Sequence, residues 1–479
     1  MFVSLQVTIR VKGKERFKLK LWRILKIVKF YVVIAIIAVM LISIFGFLSE
    51  KSVTPPNVIS ENTDDSTSSE QANATEPQAP KEESITDPFI SIIQPALEIF
   101  FPKEPGLIKS AQSINSSVWM QVAANAWAFY SLDVGVDSVT GLPYAEGLDF
   151  RGFTDWDLGS YIQAIIDAQE IGLIDINGDL GSYVRFNTVL DFLETRPLNA
   201  YDYPFQFYDA TTGDTYYLPS DDSANIVDVI DLGRLFVALN NLRNFNNAFA
   251  PRINRFVLNG RSNYTALVPS ILDFANSNSM YAYYIASGFA SFWPQQLGAV
   301  PSTILNNILN SQNITTYGVS LPAASICNEP LLSAVFELDN SDSPRLMDLM
   351  TQVYLACEAY SNSTGRFMAP SEGSNGGAWL YEWVVAPNGE PWIITNASGT
   401  VFYATPSIVY NKVAFSYLAL YNTSFARNMV IWLEDALYNP INGYYEGIDN
   451  HGNTKPYPYL SSISNTLILE AARYALQKV

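Results

Sequence analysis

The sequence is poor in histidine, cysteine and cofactor motifs, and each shortage excludes a class of protein. The single histidine, His451, excludes a histidine-rich metal centre, and any Ser-His-Asp arrangement would have to use it. Two cysteines, Cys327 and Cys357, cannot build a disulfide-rich scaffold, and they form either one bridge or two buried thiols. No Walker or dinucleotide motif occurs where a strand, loop and helix would need it, so we expect no cofactor.

Charge is also scarce, and its sign is unevenly distributed. Charged residues make up 15% of the 479 residues, and the formal net charge is −18. This acidic balance excludes nucleic acid as the expected partner, because phosphate backbones are bound by Lys and Arg. Residues 1–29 hold nine of the 28 basic residues and one of the 46 acidic ones. The acidic remainder suits acidic surroundings, where protonation would reduce its net charge.

One long apolar run predicts a membrane anchor. Residues 30–48 form 19 consecutive residues without a charge, and as a helix they would reach ~28 Å, enough for the hydrocarbon core of a bilayer. A cleaved signal peptide is the alternative, but its apolar region would be shorter and would end at a small-residue cleavage site, which is missing here. The basic flank predicts that residues 1–29 are cytoplasmic and that the C-terminal bulk lies outside the cell.

The remaining chain divides into a linker and one large domain. Residues 49–88 are rich in Ser, Thr, Pro and Asn, which predicts a disordered stalk. Residues 89–479 are then the ectodomain. Seven Asn-x-Ser/Thr sequons in the chain are compatible with an exported glycoprotein.

Helical periodicity dominates the ectodomain. Apolar residues recur at the spacing of a helix face, as in Leu158, Ile162, Ile165 and Ile166. The pattern predicts helices near 117–133, 155–171, 185–195, 224–243, 249–258, 264–276, 281–291, 301–310, 329–338, 344–361, 406–420, 424–437 and 461–477.

So many helices in one domain favour a ring of helical hairpins, which is an all-α, (α/α)6-type toroid. A four-helix bundle would use fewer helices, and a helical solenoid would need repeats of strict length, which are absent. Alternating strand patterns are restricted to short pieces such as 215–218 and 392–394, so we expect only short β segments in loops.

A loop-then-helix pattern recurs four times, near 141–171, 215–239, 365–420 and 443–471. Each copy has an aromatic or extended stretch, carboxylates beside Gly or Ser, and a polar start to an apolar helix; the third copy carries an insertion. In a ring of hairpins, the loops that lead into equivalent inner helices emerge at the same end. We therefore expect one rim that carries Glu146, Asp221, Asp222, Glu372 and Glu446. Near the helix starts we expect Asp155, Asp157, Asp228, Asp231, Lys412 and Asn465.

Such a rim has the composition of a glycan-cleaving site. Glycoside cleavage needs one protonated carboxyl group and one ionised carboxylate, and clustered carboxylates raise one another's pKa. Aromatic rings bind the apolar faces of sugars. The catalytic candidates are Glu372 and Asp157, then Glu446 and Asp222. The candidates for substrate binding are Trp156, Asp231, Arg234, Trp379, Trp383, Lys412, Tyr445 and Asn465.

Structural roles compete for several of these residues. Thr154 and Asp155 are typical of helix N-caps, and Asp157 lies where acidic residues stabilise a helix through its macrodipole. Asp231 could form an ordinary ion pair with Arg234 on the next helical turn. The aromatic residues could equally belong to the hydrophobic core.

Six segments together resemble the domain-of-unknown-function family 3131. They are FTDWDLGSYIQAIIDAQEIGLID, VIDLGRLFVALNNL, APSEG, YNKVAFSYLALY, GYYEGIDNHG and SISNTLILEAARYAL, and they run in that family's order from about residue 115 to 477. The resemblance implies an α/α toroid related to glucoamylase-like and β-glucan-cleaving glycosidases, often found with exported or membrane-bound polysaccharide machinery. It points to Asp157, Asp231, Arg234, Glu372, Lys412, Glu446 and Asn465 as family-like positions.

The leading hypothesis is therefore a membrane-anchored, outward-facing protein that hydrolyses an oligo- or polysaccharide through a carboxylate pair, without metal or cofactor. The alternative is a non-catalytic glycan-binding or cell-envelope structural protein on the same fold. A solute-binding receptor for a transporter is disfavoured, because the α/β pattern of such proteins is missing.

Overall fold

The computed structural model describes residues 106–147, 150–216, 227–375, 378–402, 404–437, 441–450 and 455–478. The predicted cytoplasmic segment, transmembrane helix and stalk lie outside these residues, as do His451 and the candidate Asp222. Within the described ranges, no helix is long and apolar enough to cross a membrane.

Twelve long helices build the described part of the chain. They are α1 (Ser116–Trp127), α2 (Asp155–Glu170), α3 (Ser182–Thr195), α4 (Val229–Phe245), α5 (Ala250–Asn259), α6 (Met280–Phe292), α7 (Val300–Leu309), α8 (Asn328–Glu337), α9 (Ser343–Thr364), α10 (Asn411–Tyr421), α11 (Ser424–Ala436) and α12 (Ser462–Lys478). Short helices at Leu107–Ser110, Val268–Asp273 and Pro294–Leu297 lie between or before them.

The helices form two concentric rings. Helix α2 packs on α4, α4 on α6, α6 on α8, α8 on α10, α10 on α12, and α12 returns to α2. Each odd-numbered helix packs behind one inner helix: α3, α5, α7, α9 and α11 lie behind the helix that precedes each of them, and α1 lies behind α12. This is the toroid of six helical hairpins that the sequence predicts.

The inner helices are buried on every face, unlike the outer ones. In α2 every residue from Asp155 to Ala168 is buried, and in α12 every residue from Ser462 to Ala472 is buried. The polar residues of α2 have partners inside the protein: Arg196 for Asp155, Ser462 for Asp157 and Gln163 for Asp167. The amphipathic pattern of 155–171 therefore does not mark a face in solvent.

Two glycines allow α4 and α6 to approach closely. A Cβ atom added to Gly288 would lie 2.2 Å from the carbonyl oxygen of Gly233. A Cβ atom added to Gly233 would lie 2.5 Å from the Cγ2 atom of Ile285. The main chains are in contact at this crossing, so the ring has no room there for a larger residue.

The strands lie in the loops at one end of the ring. They are β1 (Gly152–Phe153), β2 (Tyr208–Asp209), β3 (Asn313–Thr316), β4 (Val319–Pro322), β5 (Glu372–Asn375), β6 (Ala378–Val385), β7 (Pro391–Asn396), β8 (Val401–Phe402), β9 (Ile408–Tyr410), β10 (Tyr445–Asp449) and β11 (Lys455–Leu460). Strands β5 to β8 form an antiparallel sheet in chain order, and β10 lies between β9 and β11.

The described residues of the predicted insertion between 373 and 405 thus form most of the sheet β5 to β8. The predicted extended piece 392–394 lies in β7, and Thr215 forms a single bridge with Tyr208. The helix predicted at 406–420 starts later, because Ile408–Tyr410 pairs with β10 before α10 begins. The helix predicted at 264–276 is shorter, with 3-10 turns on both sides of Val268–Asp273.

Both cysteines are free. Cys327 and Cys357 are fully buried thiols on α8's N-cap and in α9. Of the two alternatives left open by the sequence, the pair of buried thiols is confirmed.

We expect Gly288→Ala to lower the free energy of unfolding by about 1–3 kcal/mol, because the new methyl group pushes α6 away from α4. Urea unfolding followed by circular dichroism measures this change. Ser287→Ala on the neighbouring, half-buried position is the matched control and should change stability much less. Equal stability of the two variants would show that the helix crossing tolerates separation.

Candidate active site

The starts of the inner helices meet at one end of the ring. Ser462, at the start of α12, donates from Oγ to Oδ1 of Asp157 at the start of α2, at 2.5 Å. Lys412 at the start of α10 donates from Nζ to Oε2 of Glu329 at the start of α8, at 2.5 Å. Tyr281 in the first turn of α6 reaches Glu372 on β5. The carboxylates that the sequence places in loops and helix starts therefore share this end.

Glu372 is held by two donors from different elements. The hydroxyl of Tyr281 donates to Oε1 at 2.5 Å, and the indole Nε1 of Trp379 on β6 donates to Oε2 at 2.8 Å. Only 5% of Glu372 is exposed. Burial raises the pKa of its carboxyl group, Lys412 and the two hydrogen bonds oppose this rise, and the negative charge of Glu446 adds to it. The environment thus favours a proton on Glu372.

Lys412 joins three glutamates but reaches no solvent. Its side chain is 1% exposed. Besides Glu329, its Nζ contacts the main-chain carbonyl oxygen of Glu372 at 2.8 Å and lies 4.0 Å from Oε2 of Glu446. Burial raises the pKa of Glu329 to about 8, although Lys412 lowers it and the charges of Glu372 and Glu446 raise it. Lys412 is therefore an internal cation with contacts to the protein, and its predicted role in substrate binding stays a prediction.

Glu446 lies on β10, next to the Glu372 main chain. Ser461 donates from its hydroxyl group to Oε1 of Glu446, and Oε2 would lie 3.3 Å from a Cβ atom added to Gly373. That oxygen is buried and has no hydrogen-bond partner among the described residues. The Tyr410 ring lies 3.1 Å from the same position, so a side chain at 373 would be tightly packed and its neighbours would have to shift by a few tenths of an ångström.

Asp228 and Asp231 form the more open side of the site. Asp228 caps α4 by accepting from the amides of Ile230 and Asp231, and both aspartates are half-buried. Burial and the charge of Asp228 raise the pKa of Asp231 well above its ordinary value. Burial raises the pKa of the Tyr381 hydroxyl, and the charges of Glu372, Asp231 and Asp228 raise it further. Tyr381 therefore lies within the electrostatic reach of carboxylates from both β5 and α4.

Asp157 performs the structural role that competes with catalysis. Its Oδ2 accepts from the amide of Thr154 at 3.0 Å, which closes a capping box, and its Oδ1 accepts from Ser462. Burial raises its pKa, and these hydrogen bonds lower it. Both carboxylate oxygens are thus engaged: Oδ2 closes the cap of α2, and Oδ1 joins α2 to α12.

Asp155 does not cap the helix, which corrects one interpretation of the sequence. Thr154 is the N-cap, whereas Asp155 forms a buried two-contact ion pair with Arg196 at 2.5 and 3.2 Å. Arg196 also donates to the hydroxyl of Tyr264 at 2.9 Å. The aspartate that follows the cap points between α2 and the end of α3, where the cation lies.

Arg234 does not pair with Asp231 and does not lie at the rim. It is 2% exposed, and it donates to Glu337 and, at 2.6 Å, to the hydroxyl of Tyr284. Glu470 of α12 lies 3.6 Å away. Arg234 lies one turn inside α4, so its side chain faces the axis of the ring and meets the carboxylate from the end of α8. In this structure its contacts are all with buried groups of the ring, and its predicted role in substrate binding stays a prediction.

The remaining candidates divide by exposure. Asn465 is fully buried and clamps the main chain of Tyr444, accepting from its amide at 2.7 Å and donating to its carbonyl oxygen at 3.1 Å. Trp156 and Trp383 are 6% exposed each and pack in the core. Trp379 and Tyr445 are half-buried at the site, so they remain available to a ligand.

Sequence reasoning missed Glu329 and Tyr281. Glu329 stands in ICNEPLLSAVF, which has the same polar start to an apolar helix as the four recognised copies, so the pattern could have found it. Tyr281 has no comparable signal, because it lies in an almost wholly apolar helix start. Among the described residues, no cluster of His, Cys, Asp or Glu is arranged to hold a metal ion.

Buried carboxyl groups predict that stability falls as pH rises. Burial raises the pKa of Glu382 to about 8 and that of Asp167 to about 6. A raised folded-state pKa means that the folded protein binds protons more tightly than the unfolded chain. The resulting stability is complete below the ordinary carboxyl pKa and is lost as pH rises through the folded value.

We therefore expect the free energy of unfolding to decrease from about pH 4.5 to about pH 8, by roughly 1.4 kcal/mol for each unit of pKa difference at a single group. Urea unfolding at several pH values measures it. Glu382→Gln, which keeps an acceptor for the amides of Ser407 and Ile408, should flatten the dependence. The exposed Glu390→Gln is the matched control, and an unchanged slope in Glu382→Gln would contradict the assignment.

Solved structures share the toroid. A glucoamylase-like protein from Bacteroides fragilis matches with a TM-score of 0.54 and 13% identity, over 77% of this chain and 94% of that one. An endo-β-1,2-glucanase from Chitinophaga pinensis, solved with sophorotriose and glucose, matches with a TM-score of 0.54 and 12% identity, over 76% and 95%. At these identities the likeness extends to the fold.

The sequence comparisons agree with the resemblance drawn from the motifs. No curated protein matches the sequence. The model of a family described as "Protein of unknown function (DUF3131)" matches residues 121–478, which include the whole ring of helices from the middle of α1 to the last residue of α12. The chain therefore belongs to the DUF3131 family.

Proposed function

We propose that the chain is a glycoside hydrolase-like enzyme that cleaves an oligo- or polysaccharide at the end of the toroid where the inner helices start. The observation that carries the proposal is the setting of Glu372. Its buried carboxyl group is oriented by Tyr281 and Trp379, and its pKa is raised by burial. A carboxyl group that is kept protonated and fixed in direction is what general-acid assistance to a leaving sugar oxygen requires.

The second carboxylate of the pair is Asp231 in this proposal. It serves as the base only in its ionised form, and its raised pKa restricts that form to the higher part of the working pH range. A group that removes a proton from water must be accessible, and Asp231 is half-buried, whereas Glu446 is 3% exposed. The charges of Glu372 and Asp231 both act on Tyr381, which supports the placement of these two carboxylates on two sides of one cleft. Glu446 then acts as a fixed charge beside Lys412, and Asp157 holds two helix starts together.

The substrate class comes from the chemistry of the walls and from the structural relatives. Half-buried Trp379, Tyr381 and Tyr445 offer ring faces to a sugar. A second endo-β-1,2-glucanase, from Talaromyces funiculosus, was solved with sophorose and matches with a TM-score of 0.50 at 12% identity. A β-1,2-linked glucan is therefore the first substrate to test, and an α-linked glucan is the second.

Full-length protein in mild detergent should release reducing sugars from one of these glucans. We expect Glu372→Gln and Asp231→Asn each to lower kcat by about 100-fold or more, because each removes one half of the acid/base pair. Glu446→Gln should cause a smaller loss than Asp231→Asn. Reducing-end assays and chromatography of the products provide the measurement.

Exposed Glu390→Gln is the control for these substitutions, and circular dichroism establishes that each variant is folded. Retained turnover in Glu372→Gln would reject the acid assignment. Saturable glycan binding without turnover by the wild type would favour the alternative, a non-catalytic glycan-binding protein.

We also propose that residues 30–48 anchor the enzyme, with the toroid outside the cell. The proposal rests on the uncharged run and its basic flank. The wild-type protein should stay in the membrane after an alkaline wash, and protease added to intact cells should degrade the toroid but spare a cytoplasmic marker. Deletion of 30–48 should release the protein. Loss of the wild type into the wash, or protection from protease, would reject this topology.

A further inference from the structure

We propose that Glu329 and Lys412 form a positioning pair that fixes Glu372 through its main chain, with Glu329 as the counter-charge that keeps Lys412 in place. The inference rests on the proposed role of Glu372 as the acid. Neither member of the pair touches substrate, because Glu329 and Lys412 are both 0% exposed.

Lys412 contacts the main chain of Glu372 and leaves its carboxyl group to other donors. The ammonium group contacts the carbonyl oxygen of Glu372 at 2.8 Å, and the carboxyl group of that residue is bound by Tyr281 and Trp379 instead. A grip on the carbonyl fixes the peptide plane that follows Glu372. Because β5 is a short strand of four residues at the edge of its sheet, this grip helps to define the direction in which the Glu372 side chain leaves the main chain.

A buried ammonium group needs a counter-charge, and Glu329 supplies it. Its Oε2 lies 2.5 Å from Nζ of Lys412 and also accepts from the hydroxyl of Ser371 at 3.4 Å. Glu446 is farther away, at 4.0 Å. Removal of one partner from such a pair leaves an uncompensated buried charge, which is strongly destabilising. The start of α8 thereby determines where Lys412 of α10 can place its ammonium group.

The pair also acts electrostatically on Glu372. The groups that face Glu329 are Lys412 from α10, Glu372 from β5, Glu446 from β10, Tyr281 from α6 and Cys327 beside it. Burial raises the pKa of Tyr281 and of Cys327 far above neutrality, so both stay uncharged. The charge of Glu372 raises the pKa of Glu329, and the ammonium group of Lys412 lowers the pKa of Glu372. In Glu329→Gln, Lys412 loses its nearest counter-charge, so its positive charge acts more strongly on Glu372, which then releases its proton at lower pH.

The test compares Glu329→Gln with Glu382→Gln, a second fully buried glutamate whose pKa burial also raises to about 8 but which faces the amides of Ser407 and Ile408. In Glu329→Gln, we expect the alkaline limb of the kcat profile to move by about one pH unit toward acid, with KM changed less than twofold. The limb should not move in Glu382→Gln.

A second measurement does not depend on activity. Hydrogen–deuterium exchange of the full-length protein should become at least about tenfold faster in 372–385 of the double variant Lys412→Met/Glu329→Gln, with little change in 462–478. The double variant removes both charges together, so it avoids a lone buried charge and is more apt to fold than Lys412→Met alone.

The two measurements separate the inference from the proposed function. If the wild type cleaves no glucan but exchange accelerates in 372–385, the proposed function fails and the main-chain grip stands. If exchange in the double variant equals that of the wild type, or if the pH limb of active Glu329→Gln does not move, the positioning pair is rejected.

Discussion

Most of the inner ring is buried, and this constraint governs the charges that the inner helices carry. An ionisable group on such a helix cannot be solvated, so it must be paired or neutralised. The structure pairs its buried cations accordingly: Arg196 with Asp155, Arg234 with Glu337, and Lys412 with Glu329. Carboxyl groups outnumber these cations, and the surplus is accommodated by raised pKa values, as at Glu470. The interior therefore combines a hydrophobic core with buried carboxyl groups whose pKa is raised.

This interior gives the candidate site its properties. General-acid chemistry needs a carboxyl group that retains a proton, and in the proposed mechanism the burial of Glu372, which raises its pKa, supplies this group without histidine. The same burial that suits chemistry reduces stability at higher pH. Acidic surroundings, which the composition suggests, would favour both the protonated form of Glu372 and the stability of the fold, because both depend on protonated carboxyl groups.

The position of a residue along an inner helix determines whether the residue lies near the candidate site or inside the ring. Residues in the first turn, such as Glu329 and Lys412, lie among the loops that carry Glu372 and Glu446. Arg234, only one turn further along α4, already belongs to the axis and pairs with the far end of α8. A shift of one turn, about 5.4 Å, therefore divides residues that can shape the site from residues that hold the ring together.

The sequence by itself determined the helices, their order, the toroid and the shared end of the carboxylates, because apolar periodicity and polar helix starts are local signals. It could not determine which carboxylate caps a helix, which one forms an ion pair and which one is oriented in the candidate site. Asp157, Asp155 and Glu372 look alike as acidic residues beside aromatic ones. Only the tertiary structure separated them, because Ser462, Arg196 and Tyr281 reach them from elements 305, 41 and 91 residues away. Contacts between distant segments decide the chemistry of a buried charge, and no local pattern encodes them.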